Sequence, residues 1–122
     1  MFLPILNISA PLDSVPFKRP ASNGKRRFND SRYSQFKDDL GYIAIDTMGD
    51  TPPLKGAIKI SINVYRNLNP ISLKFGDADN HLKAICDALN GIAFEDDRQI
   101  VDASISLHKG SPHISITIGR FD

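Results

Sequence analysis

Three segments of this chain alternate apolar and polar residues, which is the pattern of a β-strand that buries one face. In residues 57–65 isoleucine or valine stands at every second position. The same alternation returns in residues 101–107 and 114–118, on either side of a turn sequence at residues 109–112. Each strand leaves an apolar face that other elements must cover. The chain therefore has to build a sheet with a covering layer on one side.

Two amphipathic segments are suited to cover that face. The first begins near Ser31, which can cap a helix, and the second spans about residues 79–89, with Asp79 as a plausible N-cap and Asn90-Gly91 as its stop. Apolar residues recur in both at three- and four-residue spacing. The first set is Tyr33, Phe36, Leu40 and Ile43, and the second is Leu82, Ile85, Cys86 and Leu89.

A short strand at residues 2–8 completes the predicted order β-α-β-α-β-β. Residues 10–29 are rich in proline, glycine and basic residues, show no period and are predicted to form a long functional loop. Strand-helix-strand units favour parallel pairing, whereas the last two strands favour an antiparallel hairpin. We therefore predict an α/β (α+β) fold in which residues 1–122 form a single domain. It has a mixed β-sheet, helices mainly on one face and a C-terminal antiparallel hairpin.

Several classes of protein are disfavoured by the sequence. No apolar run reaches the roughly 18 residues that a membrane-spanning helix needs. The opening residues have no basic stretch before their short apolar run, so they do not resemble a secretion signal. The single cysteine, Cys86, has no companion for a disulfide or a cysteine-based zinc site. We expect a cytoplasmic protein with no membrane partner and no organic cofactor.

The charges are segregated along the chain, although the net charge is only +1. Residues 18–37 hold seven basic residues and one acid, whereas residues 77–102 hold half of the 14 acids and only two basic residues. Those acids are Asp77, Asp79, Asp87, Glu95, Asp96, Asp97 and Asp102. A cluster for solubility would favour the longer glutamate, whereas short aspartate side chains suit a rigid cation site.

The acids form two groups, one within and one after the second predicted helix. Asp79, Lys83 and Asp87 are spaced four apart and share one helix face, and residues 95–97 come just before a strand. If that strand lies beside the strand leading toward Asp77, the two groups meet at one edge of the sheet. Taken alone, the first group is also explained by a capped helix start or a surface salt-bridge ladder.

Carboxylates that converge without histidine or thiol ligands suit a hard divalent cation, Mg²⁺ or Mn²⁺ rather than zinc. The spacing of an EF-hand calcium loop is not found in the sequence. A cation of this kind can activate water and neutralise a phosphodiester, and Lys83 would add positive charge where negative charge develops. The ion and the basic residues of 18–37 would together attract a sugar-phosphate backbone. The pattern favours a metal-dependent nuclease, with the cap and ladder interpretations still open.

Two stretches of this region resemble a known family. Residues 77–91 read DADNHLKAICDALNG and residues 94–101 read FEDDRQIV. They are similar to the pattern D-x-D-N-x-x-K-x-x-x-D-x-L followed by D-D-x-Q-V in the RusA family of Holliday-junction resolvases, with Ile100 in the place of the valine. The flanking strands extend a looser resemblance over most of the chain.

The resemblance implies a small homodimeric endonuclease of recombination and repair, common on phages and prophages. It would use Mg²⁺ or Mn²⁺ to cut two opposed strands of a four-way DNA junction symmetrically. On the matching positions, Asp77, Asp79 and Asp97 would be metal-binding catalytic carboxylates and Lys83 a catalytic cation. Asp96 would be an auxiliary metal ligand. Asn80 and Asp87 also match the pattern. They could equally serve to cap the helix or to form hydrogen bonds with the metal-binding residues.

The basic residues are candidates for contact with DNA phosphates. The family often carries a basic run just before the first aspartate, but here that stretch offers only Arg66 and Lys74. The predicted DNA-binding residues are Lys18, Arg19, Lys25, Arg26, Arg27, Arg32 and Lys74.

Other functions remain open at this point. They are a flap- or fork-selective nuclease, a phosphatase that uses the Asp77/Asp79 pair, and a non-catalytic DNA-binding dimer with a structural ion. We expect His81, His108 and His113 to be solvated or locally hydrogen-bonded, and Cys86 to be a small core residue.

Overall fold

The predicted order of helices and strands is confirmed in a computed structural model of the protein, which describes residues 2–18 and 31–121. A short 3-10 helix, Asp97–Gln99, precedes the third strand. The main elements are β1 (Phe2–Ala10), α1 (Ser31–Met48), β2 (Ile58–Arg66), α2 (Ala78–Leu89), β3 (Ile100–Lys109) and β4 (His113–Phe121).

The four strands form one mixed sheet in the order β1-β4-β2-β3. Strand β4 pairs antiparallel with both β1 and β2, and β2 pairs parallel with β3. The register sets Ile62 beside Ile116 on one side and beside Ile105 on the other. Apolar residues of the neighbouring strands therefore share one face, as the alternation predicted. The exception is Val101, which is 58% exposed where the pairing of β2 with β3 shifts register.

The last two strands run antiparallel, as predicted, but they are not neighbours in the sheet. Strand β2 lies between them, hydrogen-bonded to β3 on one side and to β4 on the other. The connecting turn passes the end of β2, where the backbone N–H of Gly110 donates to the carbonyl of Arg66 (2.9 Å). The central position of β2 is explained by its alternate residues, Ile58 to Val64, which are all buried.

Both helices cover the apolar face of the sheet. Helix α1 packs against β1 and α2, while α2 packs against β3. The opposite face is polar, with hydrogen bonds between side chains of adjacent strands such as Asn63 with His108 and Thr117 with Asn7. Within the described ranges, no helix is long and apolar enough to cross a membrane.

The start of α2 differs from the prediction. Asp77, not Asp79, occupies the N-cap position, and its side chain makes no capping hydrogen bond. The chain turns at Gly76, with φ of +92°, so the helix begins two residues earlier than an Asp79 cap would allow. Asp79 lies in the first helical turn, where the helix dipole favours its negative charge.

Gly76→Ala should destabilise the protein more than Gly91→Ala. Both glycines have positive φ, which costs a side-chain-bearing residue roughly 1–2 kcal/mol. A Cβ at Gly76 would also lie 2.6 Å from Cγ of Pro16, whereas a Cβ at Gly91 meets nothing within 4 Å. The overlap should add about 1–3 kcal/mol to the loss of unfolding free energy. Urea denaturation of the two variants measures the difference, and equal losses would contradict the packing at Gly76.

Candidate functional site

A groove between α2 and the start of β3 gathers most of the predicted catalytic side chains. Its volume is about 330 Å³. The residues that line it are Asp79, Leu82, Lys83, Cys86, Asp87, Asp97, Ile100 and Ala103. We refer to it as the acidic groove. Three carboxylates and one ammonium group line this common space, but of the four predicted metal ligands only Asp79 and Asp97 are among them.

Helix α2 brings the two acidic groups together. Because β2 and β3 are parallel, the segment after β2 and the segment before β3 leave opposite ends of the pair, so strand order alone does not make them meet. Asp79, Lys83 and Asp87 are spaced one helical turn apart and point to the groove, which Asp97 lines from the other side. The opposite face of α2 is buried against the core.

Lys83 is held from two directions. Its Nζ lies 3.7 Å from Oδ2 of Asp87 and 5.0 Å from the ring centre of Phe17. Phe17 in turn contacts the ring of Tyr33 edge-on, with centroids 6.0 Å apart. Burial, and after it the negative charge of Asp87, raises the pKa of Tyr33. The ammonium group is half-exposed, at 51% of its side chain, so it remains within reach of an incoming anion.

Cys86 forms the floor of the acidic groove. It is buried, as predicted. Burial, together with the negative charges of Asp97 and Asp87, raises the pKa of the Cys86 thiol to about 12. The thiol is therefore protonated at neutral pH, and it acts as a small apolar residue rather than as a nucleophile.

The 3-10 helix fixes the position of Asp97. The Gln99 side chain donates to the carbonyls of Leu54 (2.9 Å) and Gly56 (3.0 Å), and it accepts from the backbone N–H of Asp96 (2.7 Å). These contacts tie the turn to the segment that leads into β2. The glutamine of the sequence pattern therefore has a structural role here.

Asp96 acts as a helix cap. Its Oδ1 accepts from the backbone N–H of Arg98 (2.9 Å), and that hydrogen bond is the main reason why the pKa of Asp96 is lowered. Its side chain does not line the acidic groove. Of the adjacent pair, Asp97 faces the groove and Asp96 stabilises the turn that holds it.

Asp77 lies in a second, larger cavity. This cavity of about 980 Å³ is bounded by residues 12–18, the start of α1 and the segment before α2. Three predicted DNA-binding residues, Lys18, Arg32 and Lys74, line the same space. The other four predicted DNA-binding residues, Arg19, Lys25, Arg26 and Arg27, lie outside the described residues. We refer to this space as the basic cavity.

The two basic residues of the segment before α2 have different roles. Arg66 is committed to Asp13 and to the carbonyls of Lys74 and Phe75, so its charge serves the structure of the site. Lys74 is exposed and lines the basic cavity. Of these two basic residues, only Lys74 therefore has a side chain that is not already bonded within the described part of the site and that DNA could contact.

The donor set fits a hard divalent cation held with few protein ligands. Among residues 2–18 and 31–121, no three His, Cys, Asp or Glu side chains lie close enough together to hold one metal ion. Mg²⁺ is commonly bound by only one or two carboxylates, with water and substrate phosphate oxygens completing its ligands. Asp79 and Asp97 both line the acidic groove, and their carboxylate oxygens are the kind of ligand that Mg²⁺ prefers.

One buried polar group was not predicted from the sequence. His81 is fully buried and not solvated. Its hydrogen bonds reach Ser14 Oγ (2.7 Å) and the carbonyl of Phe75 (2.6 Å). A signal was present, since position 81 precedes the buried positions 84, 85 and 88 by three, four and seven residues. His108 and His113 form hydrogen bonds across the sheet, to Asn63 (2.9 Å) and Ser9 (3.1 Å), rather than within their own turn.

Comparison with known protein families finds one that covers these features. A family model described as endodeoxyribonuclease RusA matches residues 11–119, which is nearly the whole chain. The matched range contains both cavities, all of β2 and β3 and most of β4, whereas β1 lies before it. A search of curated protein sequences finds no match.

We expect Cys86 to resist thiol reagents while the protein is folded. At pH 8 a thiol with a pKa of about 12 is almost entirely protonated, so it should react more than about 100-fold more slowly than an unfolded cysteine. Labelling with a chromogenic disulfide reagent, with and without urea, measures the two rates. Rapid labelling in the absence of urea would contradict the burial of this side chain.

Proposed function

Since the chain belongs to the RusA endodeoxyribonuclease family, we propose that it resolves four-way DNA junctions by metal-dependent hydrolysis of phosphodiesters. The observation that carries this proposal is the placement of Asp79, Lys83 and Asp97 in one groove, on two elements that only the folded chain brings together. Those residues match the family pattern at the positions predicted to be catalytic.

In the proposed hydrolysis, the aspartates would bind the metal ion and Lys83 would stabilise negative charge. Asp79 and Asp97 would hold Mg²⁺ or Mn²⁺ at the acidic groove, Asp77 would be the third metal-binding carboxylate of the family pattern, and Asp96 would support Asp97. The bound ion would supply a polarised water and neutralise the scissile phosphate. Lys83, held by Asp87 and Phe17, adds a fixed positive charge at the place where the leaving oxygen becomes negative.

The basic cavity is suited to the DNA backbone. Lys18 and Lys74 are exposed, and together with Arg32 they line the space beside Asp77. Phosphates held there would lie next to the first turn of α2, which carries the catalytic aspartates. Arg19, Lys25, Arg26 and Arg27, which lie outside the described residues, remain proposed DNA contacts on the basis of their charge.

A homodimer would explain paired cuts. An isologous dimer presents the same site twice, related by a two-fold axis, and a four-way junction has a matching pseudo-symmetry. Each subunit would then hydrolyse one of two opposed strands. This assignment follows the family expectation, and the size of the protein in solution tests it directly.

Asp79→Asn should abolish cleavage and retain DNA binding. The amide has nearly the same shape as the carboxylate but lacks its charge, so the rate should fall at least about 100-fold. Junction affinity measured in EDTA should be unchanged or stronger, because a negative charge near phosphate is removed. Asp46→Asn is the matched control, since Asp46 is an exposed residue of α1 that lines neither cavity. Loss of folding in Asp79→Asn alone would favour a structural role for this carboxylate.

Cleavage should require Mg²⁺ or Mn²⁺ and a branched substrate. We expect cuts in two opposed strands of a labelled four-way junction, no cuts in EDTA, and at least about tenfold slower cutting of matched duplex, flap and fork DNA. Preference for a flap or fork would move the assignment to that class of nuclease. Binding without cutting under every metal condition would indicate a non-catalytic DNA-binding protein. A monomer at working concentration would contradict paired cutting.

A further inference from the structure

One buried backbone carbonyl just before α2 is held by two side chains from different parts of the chain. The carbonyl oxygen of Phe75 accepts a hydrogen bond from Nη1 of Arg66 (2.6 Å) and one from Nε2 of His81 (2.6 Å). Phe75 and His81 are both fully buried, and their rings meet edge-on with centroids 5.6 Å apart. The carbonyl is therefore fixed in direction from the end of β2 and from the first turns of α2 at once.

The Phe75 carbonyl determines the tautomer of His81, and burial lowers the pKa of its ring, which favours the neutral form. A carbonyl oxygen can only accept, so Nε2 must carry the proton and donate it to Phe75. The other ring nitrogen, Nδ1, is then an acceptor in the neutral ring, and the hydroxyl of Ser14 donates to it (2.7 Å). Ser14 is also fully buried, so every polar atom of this pair has a partner.

Residues 11–18 hold the other members of this network in place. Asp13 accepts from Nε of Arg66 (2.9 Å) and from its Nη2 (3.3 Å), which orients the guanidinium toward Phe75. Farther along the segment, the backbone N–H of Phe17 donates to the carbonyl of Asn80 (3.0 Å). The segment thus contacts the beginning of α2 through side chains and through its backbone.

The position of this network in the chain links it to the acidic groove. Phe75 comes two residues before Asp77 and four before Asp79, and Gly76 between them is packed against Pro16 and His81. The direction of the Phe75 carbonyl therefore sets where α2 begins. A helix that began differently would carry Asp79 and Lys83 to different places along the groove.

Stability alone does not account for a buried imidazole at this site. An apolar side chain would fill the same space without the cost of removing two polar nitrogens and a hydroxyl from water. A fully satisfied buried network instead selects one arrangement among several that are close in energy. The property that His81 adds is a defined geometry at the start of α2.

We propose that His81, supported by Ser14, is a positioning residue that fixes the Phe75 carbonyl and so places Asp79 and Lys83 for the nuclease reaction. The inference rests on the proposed function. His81 does not line the acidic groove, so its effect on the reaction is exerted through the position of α2.

The test compares turnover on a four-way junction in Mg²⁺ for the wild type and three variants, well below their melting temperatures. His81→Leu removes both hydrogen bonds and should lower kcat at least about tenfold, because small displacements of catalytic groups cost that much, while KM stays within about twofold. His81→Gln places an amide near the Phe75 carbonyl and should recover part of kcat. Ser14→Ala removes only the supporting hydroxyl and should give an intermediate kcat.

His113→Gln is the matched control. His113 also pairs with a serine, Ser9 (3.1 Å), but that pair lies on the exposed polar face of the sheet and lines neither cavity. Its kcat should equal that of the wild type. If His81→Leu does not fold, the kcat values of Ser14→Ala and His81→Gln are compared with that of the wild type instead. Folded variants of His81 and Ser14 with kcat within about twofold of the wild type would overturn the proposal.

A second measurement separates this inference from the proposed function. Titration of the wild type and Ser14→Ala with Mg²⁺, followed by the amide NMR signals of residues 76–83, reports the geometry of the aspartates without DNA. We expect affinity for Mg²⁺ to fall at least about threefold in the variant, since groups that orient metal ligands commonly matter this much. If the wild type cuts junctions and the variants bind Mg²⁺ and cut equally well, only the positioning role of His81 is rejected. A wild type that neither cuts junctions nor binds Mg²⁺ rejects both proposals.

Discussion

The parallel pairing of β2 with β3 is the interaction on which the rest of the structure depends. Strand β2 is the most completely buried strand, and it pairs with β3 on one side and β4 on the other. A parallel neighbour requires a crossover, and α2 is in that crossover, packed against β3 on the apolar face of the sheet. The acidic groove is the space between this helix and the start of β3, so the same constraint that closes the core also creates the candidate site.

The first turn of α2 separates two environments of different charge. On one side the acidic groove contains three carboxylates around Lys83. On the other, the basic cavity contains Lys18, Arg32 and Lys74 together with Asp39 and Asp77, while Asp13 is paired with Arg66. The carboxylates of the acidic groove would repel a nucleic acid, whereas a divalent cation bound there would reverse the sign of the local field. In the proposed function, DNA binding and hydrolysis would therefore take place on two sides of one helix turn.

The sequence by itself determined the elements of this protein, because periodicity and capping are local properties. It predicted the helix that starts at Ser31, the stop at Asn90-Gly91 and the burial of Cys86, and these are confirmed. It also predicted the alternating strands, which hold apart from the exposed Val101 at the start of β3. The spacing of Asp79, Lys83 and Asp87 likewise predicted a shared helix face. The family, too, is recognisable from residues 77–101 alone, because the spacing of a motif along the chain requires no knowledge of tertiary contacts.

Only the tertiary structure decided how these elements meet. Local patterns carry no information on which strands are neighbours, so the insertion of β2 between β3 and β4 could not be read from the hairpin signal. The same limit applies to the cap of α2, to the separation of Asp77 from the acidic groove, and to the burial of His81 against Ser14. Each of these depends on contacts between residues distant in sequence, whose energies become favourable only when the whole core has formed.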